Sequence, residues 1–473
     1  MLFNSLEFIG FFVIVTSLFF IVPHKYRWFL LLMSSCYFYM DFMPVYILIL
    51  GFTIVIDYFA GIYIGKSEGK RRKLFLIISV IANVGILGFF KYFNFLNDSI
   101  SGLIGLFGFT NPIQDNTFPL PIGLSFHTFQ AMSYTIEVYR GNQKPEKKFG
   151  IYALYVMFYP QLVAGPIERP QNIIPQFYKP QKFDYDRVVS GLKIMLWGFF
   201  KKLVIADRMG IYVNAVYNNP YHHTASTLFV ATIFFGFQDY CDFSGYSDIA
   251  IGSAKVMGYD LMENFKRPFF GKSITEKCLR WHMSLYTWFR DYIYTPLSMR
   301  GKKTKFKMMF NVILIFTLSG LWHGANWNFL VWGLLTGIFI VGERIYQQTI
   351  RPKKYIKGKW LIFWGTLLSF IVYMPTALFF RAKNMQDALH IAKTIFTLKG
   401  FGLFKGEPPI NFLYCVFVGF FLVTVEFFQE YYPGVKVINH QNIVVRHTAY
   451  LFLLILMLMI GVFNGSNFIY FQF

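Results

Sequence analysis

His323 is the residue around which chemistry is most readily built in this chain. It stands in Leu321-Trp322-His323-Gly324-Ala325-Asn326-Trp327, with Gly320 and Gly324 on either side, inside an otherwise apolar stretch. An imidazole has an ordinary pKa of about 6.5, so near neutral pH it can take a proton from a hydroxyl and release it again. An ionisable side chain in apolar surroundings is costly and marks a functional site by default. The flanking glycines let a substrate or another backbone come close. The plain alternative is a histidine bonded to a neighbouring helix carbonyl for packing; the glycine-flanked position favours a general base acting on a hydroxyl. Asn326 and the indole N–H of Trp322 are candidate donors for the developing oxyanion, an effect worth ~3 kcal/mol.

A second histidine, His282, lies in Arg280-Trp281-His282-Met283-Ser284. By itself it reads as structural, an interfacial imidazole beside Arg280 and Trp281. A third polar cluster runs from Gln238 to Asp248 and puts Asp239, Asp242 and Asp248 into an apolar segment, with Ser244 between them. Asp239 and Asp242 are three residues apart and share a helical face, which could hold Arg or Lys partners; a structural ion-pair network competes there with a part in the site. Cys36, Cys241, Cys278 and Cys415 are widely spaced, so neither a metal site nor a disulfide framework is readable. No nucleophile elbow, phosphate loop or HExxH occurs.

The elements that must position these residues follow from composition. Of 473 residues, 55% are hydrophobic, 21% aromatic and only 15% charged, which excludes a soluble multidomain chain. The apolar content suffices for roughly a dozen spans of ~20 residues. Apolar segments recur from about 8–22 to 448–463, several of them too short to cross alone. No linker or internal repeat divides them, so a single integral membrane domain over 1–473 is expected. The first segment is preceded by Glu7 and followed by His24, Lys25 and Arg27, the reverse of a signal peptide's charge order, and reads as a retained span.

The net charge of +21 would suggest nucleic acid in a soluble protein. Here the basic residues are clumped at Lys66–Lys73, Arg300–Lys307 and Arg351–Lys359, which the positive-inside rule assigns to the cytoplasm. Parity then starts Met1 outside and leaves residues 95–118 outside. The stretch between the second and third clusters must go in and come back, turning near His323. Residues 308–322 give only about 22 Å of helix, short of the ~30 Å hydrocarbon core, so the turn is expected inside the membrane. The aromatic and charged stretch 255–300 suits helices lying at or dipping into the interface.

Five blocks resemble the membrane-bound O-acyltransferases, in the branch of alginate O-acetyltransferases. They are Pro119–Gln130, Phe158–Ile167, Asp242–Asp248 running on to Glu263-Asn264-Phe265, Arg280–Leu297, and Leu321–Ala325; together they define a core over 119–333. The resemblance implies that His323 is the catalytic histidine and His282 the second active-site histidine. It also implies an all-α polytopic fold, about 11–13 transmembrane or re-entrant helices around a central tunnel where donor and acceptor meet. Cys278, Leu279, Ser298, Met299 and His127 depart from the family's usual residues, which bears on the acceptor more than on the reaction.

The reading is therefore an O-acyltransferase of the plasma membrane, with no bound cofactor or metal. It moves an acyl group, acetyl first, from a cytoplasmic thioester such as acetyl-CoA to a hydroxyl of an exported polysaccharide or of an extracytoplasmic partner protein in relay. Trp281, Trp322, Arg280, Asp242, Ser244 and Asn326 are the expected substrate-binding residues. With no activated Ser or Cys, direct transfer is expected over a covalent acyl-enzyme. A polysaccharide or lipid transporter would also use intramembrane carboxylates; it is disfavoured by the missing inverted repeat.

Overall fold

The structure is a computed structural model describing residues 1–349, 359–406, 408–435, 440–463 and 468–471. All regular elements among these residues are helices. Six are long and apolar enough to cross a membrane: Pro44–Lys66, Gly69–Gly105, Lys305–His323, Trp327–Thr349, Ile410–Tyr431 and Ile443–Ile460. The protein is an all-α polytopic membrane protein.

The chain forms two compact units, one of Met1–Met195 with Ser247–Met262, the other of Leu196–Tyr246 with Glu263–Phe473. In the first, polar side chains tie three helices together inside an apolar bundle. Asp57, fully buried on the Ile47–Lys66 helix, accepts from Ser79 Oγ at 2.6 Å and from Asn83 Nδ2 at 2.8 and 3.0 Å. Ser79 also reaches Thr135 on the Leu124–Arg140 helix, at 2.9 Å. His127 of that helix is buried beside Tyr39. The stretch from residue 95, expected outside the membrane, is helical as far as Gly105, past a π-helical turn at Gly88–Tyr92. Phe93, Leu96, Ile100 and Leu103 keep a helical spacing of apolar residues across that boundary.

The second unit is organised around the hairpin of Lys305–His323 and Trp327–Thr349. Its helices approach through glycine. A Cβ on Gly320 would come 3.1 Å from the Cα of Gly333, and one on Gly337 2.8 Å from the Cα of Ile313. Gly333 and Gly337 are four residues apart on one face, the small-residue spacing by which membrane helices bring their backbones together.

The first helix of the hairpin starts at Lys305 and has 19 residues, about 28 Å at ~1.5 Å per residue. It therefore nearly matches the hydrocarbon thickness, and the shortness expected from the apolar run 308–322 is not present. Thr304 caps the helix by accepting from the Lys307 N–H, so the basic residues join it as a first turn. Of the three basic clusters, the first spans the last residue of the Ile47–Lys66 helix and the first turn of Gly69–Leu87, and the second spans the connection before Lys305–His323 and that helix's first turn. In the third, Arg351, Lys353, Lys354 and Lys357 lie outside the described residues.

Candidate active site

His323 is the last residue of its helix, 4% exposed, and the chain turns sharply after it. The absence of a side chain at Gly324 leaves room for the Phe329 ring. The Asn326 side-chain oxygen accepts from the Asn328 N–H at 3.0 Å, starting the returning helix, and Asn328 Nδ2 donates to the Ala382 carbonyl at 2.9 Å. The imidazole of His323 packs against Trp322, Trp332 and Phe380, with ring centroids 5.0, 5.2 and 5.4 Å away.

His282 arrives from the other side of the same site. The segment 264–283 folds back on itself: the Lys266 N–H donates to the Arg280 carbonyl at 2.9 Å, and the Met283 N–H to the Asn264 carbonyl at 2.8 Å. His282 sits at the corner in the left-handed region, φ 42°, and its ring stands 6.4 Å from that of His323, centroid to centroid. It lies outside the six long apolar helices. Burial, with His323 alongside, holds its imidazole well below the ordinary histidine range, so it enters the site neutral.

Both histidines line one cavity of about 50 Å³, together with Trp281, Phe316, Ser319 and Tyr373 among others. Phe316, Ser319 and His323 follow one another at three and four residues, the spacing of one helix face. At ~10–15 Å³ per water-sized occupant, the cavity has room for a group of about three or four non-hydrogen atoms.

Of the other expected residues, Trp281 is on the cavity wall and Trp322 packs beside both imidazoles. Asn326 is in the turn. The remaining three are tied up within the protein and do not line the cavity. Asp242 pairs with Lys202 at 2.7 Å, Lys202 also binds Asp207 at 2.8 Å, and the second Asp242 oxygen accepts from the Ile469 N–H at 2.7 Å. Ser244 accepts from Lys201 Nζ at 2.9 Å. Arg280 bridges Glu430 at 2.9 Å and Glu276 at 2.6 Å. Burial works against the charge of Arg280, and the two carboxylates overcome it, holding the guanidinium above its ordinary value. Lys277, one turn before Trp281, is pushed down to about 8 by burial, its ammonium donating to the Phe269 carbonyl at 2.9 Å.

The geometry adds residues that sequence reading passed over. Tyr470 packs on Phe243 and His323 at centroid distances of 4.6 and 5.5 Å, and its hydroxyl hydrogen-bonds to Asp239. Glu430, at the end of the Ile410–Tyr431 helix, binds both Arg280 and Arg267. The lysine pair 201–202 inside an apolar run was a visible signal for a carboxylate partner; a single tyrosine at 470 carried none.

A partly open pocket with two imidazoles on its wall, in a polytopic membrane protein, is an arrangement suited to group transfer at the membrane. The chain belongs to the membrane-bound O-acyltransferase family, whose model matches residues 148–382, and it is an acyltransferase. It is 34% identical over 402 residues to the Pseudomonas aeruginosa protein named Probable alginate O-acetylase AlgI, covering 84% of this chain and 75% of that one. It is 32% identical over 401 residues to the Peptidoglycan O-acetyltransferase of Helicobacter pylori, covering 79% and 74%. To the Teichoic acid D-alanyltransferase of Bacillus subtilis it is 29% identical over 263 residues, covering 53% and 65%.

Proposed function

We propose that the protein transfers an acetyl group from a cytoplasmic thioester, such as acetyl-CoA, to a hydroxyl of a cell-envelope polysaccharide, directly or through a partner protein on the outer side. The observation that carries this reading is the shared wall: His323 and His282 line one cavity whose size suits an acetyl group. His323 takes the proton from the acceptor hydroxyl as its oxygen attacks the thioester carbonyl. The carbon–sulfur bond then breaks, and the thiolate recovers a proton from the imidazolium, so His323 ends the cycle as it began. Neutral His282 orients the reacting carbonyl. The Trp322 indole N–H and the Asn326 amide N–H are the proposed oxyanion donors, and Trp281 a wall for the bound acyl group. Arg280, Asp242 and Ser244 support the site through their ion pairs and hydrogen bonds.

Transfer is direct and needs no bound cofactor or metal. The enzyme is placed in the plasma membrane with its basic loops cytoplasmic and residue 1 outside, so donor and acceptor reach the cavity from opposite faces. The names of the relatives support a polymer of the envelope as acceptor. The test is thiol release from acetyl-CoA by purified protein, with mass analysis of the envelope polysaccharide. His323→Ala should abolish both while leaving expression and detergent behaviour intact; wild-type acetylation in that variant rules out the assignment.

A further inference from the structure

His282 occupies the N-cap position of the Met283–Phe289 helix, yet it makes no side-chain cap. The first N–H groups of a helix have no partner within it and must find an acceptor elsewhere. Ser, Thr, Asp or Asn at the N-cap ordinarily turns its own side chain back for this purpose. Here the acceptors come from a residue far away in sequence. The Asn264 carbonyl takes the Met283 N–H at 2.8 Å, and its side-chain oxygen takes both the N–H and the hydroxyl of Ser284, at 3.2 and 2.9 Å. Asn264 and Ser284 are completely buried.

Only three non-glycine residues have a positive φ among the described residues, and two of them, Arg267 and His282, belong to the paired segments that Asn264 opens. A histidine persists in that region only when its surroundings over-determine it. The fold-back bond between Lys266 and Arg280, together with Glu430 holding Arg267 and Arg280, fixes the backbone on the side leading into His282. Asn264 fixes it on the side leading out.

We infer that Asn264 is a positioning residue for acyl transfer: by capping the Met283–Phe289 helix in place of His282, it holds the His282 backbone in the turn that presents the imidazole to the cavity. The inference rests on the proposed role of His282. Asn264→Ala removes the acceptor for Ser284 while keeping the backbone carbonyl, and Ser284→Ala removes only the hydroxyl bond.

The experiment uses full-length protein purified in detergent, with acetyl-CoA as the probe. Thiol release gives kcat and KM, and hydrogen–deuterium exchange is followed on a peptide covering 280–286. Asn264→Ala is expected to lower kcat by ~100-fold, the order of effect of a 1 Å misplacement, with KM within twofold and faster exchange at 283–286. Asn264→Asp, which keeps a side-chain acceptor for Ser284, should recover most of the lost kcat. Ser284→Ala should fold as wild type and lose activity by a smaller factor, with the same direction of exchange. Unchanged kcat in Ser284→Ala and Asn264→Ala overturns the proposal, as does a loss of kcat with exchange at 283–286 unaltered. If wild-type protein releases no thiol yet the exchange shift appears, the thioester reading fails and the capping of His282 stands.

Discussion

Replacing Gly333 by Ala adds a single methyl group where two helices meet through their backbones, within one turn of the level of His323. That methyl would lie 3.0 Å from the carbonyl carbon of Phe316, closer still to its oxygen, and 3.1 Å from the Cα of Gly320. Non-bonded carbons rest at about 3.5–4.0 Å, so the hairpin must open by roughly 1 Å at this level. Overpacking of this kind costs ~1–3 kcal/mol, against at most about 1 kcal/mol regained from helix propensity. Because Gly320 is three residues from His323 on the same helix, the imidazole moves with the separation, and a ~1 Å displacement of a reacting group costs about 100-fold in rate. Gly342→Ala is the control on the same helix, since nothing lies within 4 Å of its added methyl; it should be neutral or slightly stabilising. Both variants are assayed for acetyl transfer and for the fraction remaining monodisperse after heating. Wild-type rate and stability in Gly333→Ala would refute the argument, and equal losses in both variants would show that the helix, not the contact, is sensitive.

Tyr470→Phe keeps the ring against His323 and removes the hydroxyl that meets Asp239; acetyl transfer should fall at least tenfold with folding retained, and an unchanged rate would show that only the ring matters. Asp57→Asn should leave thermal stability within about 1 kcal/mol, since Asn83 Oδ1, now without a hydrogen-bond partner, can accept from the new amide after a flip. In Asp57→Leu, Ser79 can still donate to Thr135 and Asn83 to the Ser79 carbonyl, so one amide hydrogen of Asn83 is stranded, at a cost of ~1–3 kcal/mol read as a lower midpoint of thermal aggregation. Lys277 is held at about 8 against an ordinary value of about 10.4. Between these values the unfolded chain binds the extra proton, so stability should rise with pH through that window, by at most ~3 kcal/mol. Lys277→Met should flatten the rise, and an unaltered slope would reject the assignment.

The all-α membrane architecture was legible because hydrophobicity at this density has few other solutions, and the place of His323 at a turn of the chain because glycines bracket it. What local pattern does not carry is distance in the chain. Asp242 was readable as a carboxylate in need of a cation, but not that Lys202 would supply it. Asn264 was visible only as part of a resemblance block, since its work is done on a turn 18 residues later. The helix before His323 was read short because its apolar run begins at Met308, whereas Lys305 and Lys307 are drawn into the first turn by the cap at Thr304.

The stretch that matches the family model ends at residue 382, but the site does not. Glu430, which clasps Arg267 and Arg280, and Tyr470, which packs on His323, both come from beyond that point. A fragment trimmed to the matched region would keep both histidines and lose the side chains that brace them. Transfer of function between relatives by that region alone thus compares the reacting groups while leaving their scaffolding uncompared, and differences in acceptor or turnover can reside in the part of the chain such a comparison never reads.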